Sequence, residues 1–169
     1  PDPGPLSDLD ISLLATIETG FDTVGKEIEA VHLRSALQEV VRLASEVNKY
    51  LDQTAPWTSI KTDKQAAARA IFTAMKAIDS LKTLFAPFIP FTSEKLNKFL
   101  GYSKNLFGTQ SVENHSDSLG GHTVLRYHPE TGKGEWKPSE MKPGMKFNKP
   151  EPLFKKLDPS IVEEERGRL

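Results

Sequence analysis

The fold of this chain depends most on one stretch, Val47-Asn48-Lys49-Tyr50-Leu51-Asp52-Gln53-Thr54-Ala55-Pro56-Trp57. Its first residues end an amphipathic helical pattern that begins near Leu33. Pro56 stops that pattern, because a proline disfavours the helical conformation in the residue before it. The stretch therefore predicts a helix that ends at a turn and places Trp57 just beyond it. An indole there either packs in the core or stays exposed as a platform for a flat ligand.

The helix before Pro56 is predicted from apolar residues that recur at spacings of three and four. Such spacing keeps them on one face of a helix of about five turns, and that face is predicted to contact the core. The residues are Leu33, Leu37, Val40, Val41, Ala44, Val47 and Leu51.

Similar patterns predict a helix on each side of it. Residues 11–28 form a looser apolar stripe that two glycines interrupt, which leaves the continuity of this helix open. Residues 67–85 form a regular stripe whose first positions are alanines, and small side chains allow a neighbouring helix to approach closely. Thr62 followed by Gln65 has the spacing of a capping box and predicts the start of this helix.

Prolines and glycines mark the limits of the last helices in this part of the chain. Pro87 and Pro90 end the third long helix, and Thr92 or Ser93 is predicted to start a shorter one that stops at Gly101. The chain is thus predicted to contain a helical bundle, residues 1–100.

The rest of the chain, residues 101–169, is predicted to be an irregular extension. Residues 101–150 carry most of the glycines and have no sustained periodicity. Only residues 123–127 have the pattern of a short strand, with Gly120 and Gly121 before it suited to a turn. The acidic stretch that begins near Pro159 predicts a short terminal helix.

Composition excludes several classes of protein. The chain has 169 residues, 22 Lys and Arg against 23 Asp and Glu, and no cysteine. Near-neutral charge gives no general bias towards nucleic acid or membrane surfaces, so any RNA binding is local. The absence of cysteine excludes disulfides, cysteine zinc sites and thiol catalysis, and suits a reducing cytosol. No apolar run approaches the ~20 residues of a membrane span.

Motifs for catalysis are absent from the sequence. It has no phosphate-binding loop, dinucleotide fingerprint, nucleophile elbow or zinc-binding helix, so no catalytic residue is predicted. Three histidines, His115, His122 and His128, lie within 14 residues of one another. No carboxylate or thiolate stands at a fixed offset from them, which favours solvated histidines, and no metal is predicted.

The stretch that ends at Trp57 resembles N-[KR]-Y-[LV]-[DE]-x-x-[AK]-P-W, a signature of methionyl-tRNA synthetases in their C-terminal anticodon-binding domain. Residues 84–96, LFAPFIPFTSEKL, are similar to the P-x-x-P-x-[ST]-x-x-L segment of that family. Residues 152–158, PLFKKLD, resemble its P-L-F-x-[KR]-[IL]-[DE] tail. All three occur in the order found in the family.

This resemblance implies an all-α fold, the anticodon-binding helical bundle of class I aminoacyl-tRNA synthetases, with a long irregular C-terminal segment and a short terminal helix. It implies a cytoplasmic protein of translation whose partner is the anticodon loop of a methionine tRNA. Trp57 would stack on an anticodon base, with Pro56 fixing its backbone and Asn48 and Tyr50 in local support. Lys61, close in sequence, suits contact with a phosphate.

The resemblance implies that catalysis belongs to a part of the protein outside this chain. Ligation of methionine to tRNA would use ATP and magnesium, with zinc at a cysteine knuckle, in a parent catalytic domain. This chain is predicted to hold no cofactor, and its extension to pack on the bundle or on that catalytic domain. The family's other anticodon-reading residues, an Asn and an Arg, would lie upstream of Pro1.

Two alternatives remain open from the sequence. One is a helical protein–protein interaction module in which the extension, with Leu153 and Phe154, binds a protein partner. The other is a relative that reads another tRNA of the same synthetase class.

Overall fold

A computed structural model of the chain describes residues 2–118, 120–132, 134–154 and 158–168. In chain order, the elements are α1 (Asp8–Glu29), α2 (Leu33–Thr54), α3 (Pro56–Ser59), α4 (Lys64–Phe85), α5 (Pro90–Phe99), β1 (Thr109–Asp117), β2 (Gly120–His128), a 3-10 turn (Pro129–Thr131) and α6 (Ser160–Arg166). None of the described helices is long and apolar enough to cross a membrane.

Three long helices, α1, α2 and α4, pack against one another around a single core. The predicted helical bundle is confirmed. Alanines on the face of α4 are buried in this core, as their small size predicts, and they bring the helices close together. The largest fully buried apolar side chains of the three helices are Ile17, Leu43, Leu84, Val24 and Val40.

Helix α1 is continuous through both of its glycines. Its start is a capping box in which Ser7 and Asp10 bond each other's backbone N–H groups. Gly20 is buried, and a Cβ at this position would overlap the side chain of Leu43 on α2. The glycine that weakens the helical pattern in the sequence is thus the one that lets α1 and α2 approach closely.

Two predicted helix starts are wrong by a few residues. Asp63, not Thr62, caps α4, because its carboxylate accepts a hydrogen bond from the backbone N–H of Ala66 at 2.9 Å. Helix α5 begins at Pro90, not at Thr92 or Ser93. Proline suits a first helical position, since its missing N–H would have no partner there.

The predicted core face of α2 is partly wrong. Its buried residues are Ala36, Val40, Leu43, Val47 and Tyr50. Leu33, Leu37 and Val41 are instead 54%, 39% and 50% exposed. Periodicity predicted an apolar arc on α2, but the positions of α1 and α4 decide which part of that arc is covered.

The extension contains a β-hairpin that the sequence predicted only in part. The expected strand at 123–127 lies inside β2, and β1 pairs with it in antiparallel register, Thr109 opposite His128 and Asp117 opposite Gly120. Gly120 has φ of +109°, which suits the tight turn between the strands. Strand β1 was missed because most of its residues are polar on both faces, so it lacks the alternation that marks a strand.

Residues 134–148, here called the C-terminal strap, cross the bundle without regular secondary structure. The indole N–H of Trp136 donates to the carbonyl of Phe21 on α1 at 3.0 Å. The backbone N–H of Asn148 donates to the carbonyl of Phe99 at the end of α5 at 2.9 Å. Part of the segment predicted as an irregular extension is therefore fixed against the helices at both of its ends.

The tail after the strap has fewer contacts with the bundle. Lys95 on α5 donates to the carbonyl of Pro152 at 3.4 Å, and the ring of Phe154 is exposed. Residues 155–157 of the predicted PLFKKLD tail lie outside the described residues. The predicted terminal helix is confirmed as α6.

Candidate nucleic-acid interface

The turn after α2 sets the position of Trp57. Ala55 has the left-handed conformation, with φ of 37° and ψ of 60°, and its N–H caps α2 by donating to the carbonyl of Leu51 at 2.9 Å. The carbonyl of the same residue accepts from the N–H groups of Thr58 at 2.8 Å and Ser59 at 3.0 Å. One residue thus ends α2 and begins α3, because the proline next to it excludes a continued helix.

The side chains of Pro56 and Trp57 lie in opposite environments. Pro56 is buried at the first position of α3, where its fixed φ angle suits the start of a helix. Trp57, the next residue, is 59% exposed, so its indole does not pack in the core. The geometry leaves the ring as an exposed apolar platform on a short helix that the proline fixes in place.

Tyr50 is held in the interior, one helical turn before the end of α2. Its side chain is 2% exposed, and its hydroxyl donates to the carboxylate of Asp10 on α1. Burial, followed by this hydrogen bond, raises the pKa of Tyr50. A ring in this position has no access to RNA, so its place in the site is to join α1 to the end of α2.

Asp10 is the centre of this buried contact. It also accepts hydrogen bonds from the backbone and hydroxyl of Ser7, both at 2.7 Å, and pairs with Arg69 of α4 at 3.2 Å. Burial by itself raises the pKa of Asp10, but the hydrogen bonds from Tyr50 and Ser7 and the charge of Arg69 outweigh it and hold the pKa below its usual value. The carboxylate therefore ties all three long helices together at the end that carries Trp57.

An apolar groove of about 710 Å³ opens beside Trp57, and we call it the Trp57 groove. Its walls are α3, the first half of α4 and the C-terminal strap. Its volume falls within the range of about 300–1,000 Å³ of pockets that bind small molecules. The described lining includes two lysines, Lys64 and Lys142, and no carboxylate. Its apolar lining includes Ile60, Ile71, Phe72, Met145 and Phe147.

The other two predicted site residues are exposed. Asn48 lies on the solvent side of α2, and Lys61 lies in the turn between α3 and α4. Lys61 does not line the Trp57 groove, whereas Lys64 does. Of the predicted set, Trp57, Asn48 and Lys61 are available to a ligand, and Pro56 and Tyr50 support the backbone that carries them.

The strap wall of the groove was not predicted from the sequence. Lys142, Met145 and Phe147 are more than sixty residues from Trp57 in the chain and lie in a segment without periodicity. The available signal was Gly25: a Cβ there would come within 3.2 Å of the Trp136 indole nitrogen, so this glycine leaves room for the strap.

A buried polar cluster fastens the strap to α4. The hydroxyl of Ser139 donates to Asp79, which also accepts from Tyr102 at 2.7 Å and from Lys82 at 2.8 Å. Lys82 donates to Asn97 as well, at 2.8 Å, and lies 4.1 Å from the centre of the Tyr102 ring. Burial and the bond to Asp79 raise the pKa of Tyr102. The cluster is a structural clamp for one wall of the Trp57 groove.

The three clustered histidines lie on the hairpin. The rings of His115 and His122 face each other across the strands with centroids 5.3 Å apart, and His128 bonds Ser111 at 2.8 Å. Within the described residues, no group of three or more His, Asp or Glu side chains is placed to hold a metal ion.

Comparison with known proteins identifies a family for this chain. The family model described as the anticodon binding domain of methionyl tRNA ligase matches residues 1–128. The methionine–tRNA ligase of Thermomicrobium roseum is 47% identical over 171 residues, which cover 100% of this chain and 29% of that protein. That of a Roseiflexus species is 42% identical, with 100% and 29% covered. The chain thus spans less than a third of these curated relatives.

A likeness to solved structures supports the same fold. The apo crystal structure of Mycobacterium tuberculosis methionyl-tRNA synthetase has a TM-score of 0.58 and 23% identity, covering 61% of this chain and 22% of that one. A second structure of that enzyme, bound by methionyl-adenylate, has the same TM-score and identity. The family match does not favour the alternative of a protein–protein interaction module.

Proposed function

This chain belongs to the anticodon-binding domain family of methionyl-tRNA ligases, and on that premise we propose that it binds the anticodon loop of a methionine tRNA with Trp57 as a base-stacking platform. The observation that carries this proposal is the exposed indole of Trp57 beside an apolar groove. An exposed tryptophan is costly in contact with water, and unpaired bases of RNA loops stack on such rings.

The charges around the indole fit a nucleotide. Lys64 and Lys142 line the groove without a carboxylate among its described residues, and Lys61 is exposed in the adjacent turn. Phosphates next to a stacked base would lie near these cations. Because the net charge of the whole chain is −1, attraction to RNA depends on this local cluster and not on a general basic surface.

The test is a titration with a synthetic stem-loop that carries the anticodon loop of methionine tRNA. Replacing Trp57 by Ala removes the platform, and one stacked base is worth about 1–3 kcal/mol, so the Kd is expected to rise by roughly 5- to 150-fold. Trp57→Phe keeps a smaller aromatic face and is expected to give an intermediate Kd. A stem-loop with a changed anticodon is expected to bind more weakly to the unsubstituted chain.

Trp136→Phe provides the matched control, because Trp136 is the other tryptophan and lies on the strap against Phe21. This variant is expected to keep the Kd of the unsubstituted chain and to leave Trp57 as the sole source of indole fluorescence. If Trp57→Ala bound the stem-loop as tightly as the Trp136→Phe control, Trp57 would not be the stacking platform. Replacing Lys64 by Ala should weaken all stem-loops alike and reduce the salt dependence of binding.

For the complete protein we propose the ligation of methionine to its tRNA through an adenylate, in the cytoplasm where translation takes place. The name of the relatives and the methionyl-adenylate bound in the M. tuberculosis enzyme support this proposal. ATP and magnesium would bind outside the described residues, since these offer neither a phosphate-binding loop nor a metal cluster. Aminoacylation of a methionine tRNA by the full-length protein, with and without ATP, tests it.

A further inference from the structure

The exposed apolar ridge of α2 has no partner among the described residues. Leu33, Leu37 and Val41 occur at intervals of four residues and are 54%, 39% and 50% exposed. Along the same side of the helix, Ala44 and Leu51 are partly buried against the core. The ridge therefore borders the core directly, and a segment laid over it would extend that core.

We propose that this ridge is the seat of an additional amphipathic helix, supplied by the part of the same polypeptide outside residues 1–169. The inference concerns the fold of the complete protein and does not depend on RNA binding. Residues spaced by four form a straight ridge along a helix, and such a ridge packs into the groove of a second helix. With α1, α2 and α4 already packed together, the added helix would complete a four-helix arrangement.

The size of the ridge favours a covalently connected occupant over a separate chain. Stable interfaces between separate proteins bury about 800 Å² on each partner, which three half-exposed side chains do not approach. A segment of the same polypeptide needs less contact area, because its effective concentration at the ridge is high. The matched relatives offer ample length, since this chain covers 29% of the Thermomicrobium roseum protein.

Hydroxyl-radical labelling of the full-length protein, read residue by residue by mass spectrometry, tests the proposal with internal references. Leu43 is fully buried and Leu125 on the hairpin is 67% exposed. If the ridge is covered, Leu33 and Leu37 should label several-fold more slowly than Leu125 and close to the rate of Leu43. Labelling of the ridge at the rate of Leu125 would overturn the proposal.

A pair of substitutions separates the helix from other coverings. Val41→Asp places a charge in the covered ridge and should raise the labelling of Leu37 several-fold. Gln38→Asp, on an exposed side of α2, is the matched control and should leave it unchanged. Protection that disappears on dilution would mean a second copy, and protection seen only with tRNA present would mean RNA. Either result would overturn the assignment to the same polypeptide.

Discussion

Replacing Tyr50 by Phe removes one hydroxyl from the buried contact between α1 and the end of α2. In the structure this hydroxyl donates to Asp10, which is itself 2% exposed. Asp10 keeps its hydrogen bonds from Ser7 and its ion pair with Arg69 in the variant. The substitution is therefore a loss of one partner of a buried carboxylate and creates almost no cavity.

The remaining partners of Asp10 limit the size of the effect. A hydrogen bond to a charged group contributes about 1.5–3 kcal/mol, and because Asp10 stays partly satisfied we expect a loss of about 1.5–2 kcal/mol. For a domain of this size each kcal/mol lowers Tm by roughly 2–4 °C, so Tm should fall by roughly 3–8 °C. Tyr127→Phe, which removes an exposed hydroxyl that accepts from Gly108, is the matched control and should change Tm by less.

The effect should also depend on pH. The pKa of Asp10 in the folded protein lies below its usual value of 3.8, so the stabilisation that this group provides is present above about pH 4. It is lost as pH falls through the folded pKa and Asp10 becomes protonated. The difference in unfolding free energy between the original chain and Tyr50→Phe should therefore be full at pH 7 and smaller at about pH 3.

Urea unfolding at both pH values measures this difference, and stem-loop titration well below Tm measures function. We expect Tyr50→Phe to bind RNA with an unchanged Kd while it is folded, because the buried ring has no access to a ligand. A loss of under about 0.5 kcal/mol, or one that is equal at the two pH values, would refute the account of the Asp10 contact. A higher Kd in the folded variant would refute the supporting role of Tyr50.

Two further substitutions test the strap and its clamp by thermal unfolding. Gly101→Ala should cost more than about 2 kcal/mol, because Gly101 has φ of +86° and a Cβ would overlap the carbonyl of Lys146. Gly144→Ala, with φ of +88° and open space around it, should cost only about 1 kcal/mol, and equal losses would argue against the contact. Lys82→Met leaves a buried carboxylate without its cation and should cost about 3–5 kcal/mol. Lys137→Met, which breaks an exposed ion pair, should cost under about 1 kcal/mol; a similar value for Lys82 would contradict the clamp.

Local rules were enough to predict the long helices and the break between α2 and α3. Apolar spacing marked α1, α2 and α4, and Pro56 marked the turn before Trp57, because both effects act within a few residues of the chain. The same rules failed where two local signals competed. At α4 the capping-box spacing pointed to Thr62, whereas the carboxylate of Asp63 caps the helix. At α5 the proline itself was the start.

Long-range contacts explain the features that the sequence did not predict. The strap has no periodicity, because its position comes from single hydrogen bonds such as those of Trp136 and Ser139 to distant helices. Strand β1 is polar on both faces and is recognised only by its pairing with β2. The sequence pattern of α2 includes Leu33 and Leu37 in its apolar face, and only the packing of α1 and α4 leaves them uncovered.

For the site itself, the sequence alone determined that a tryptophan comes directly after a proline at the end of a helix, and that the stretch carries a family signature. Tertiary structure decided that the indole of Trp57 is exposed while Tyr50 is buried against Asp10. It also placed Lys142 and Phe147 of the strap opposite α4 as the second wall of the Trp57 groove. The physical reason is that helix ends are set by neighbouring residues, whereas burial depends on which distant segments pack around them.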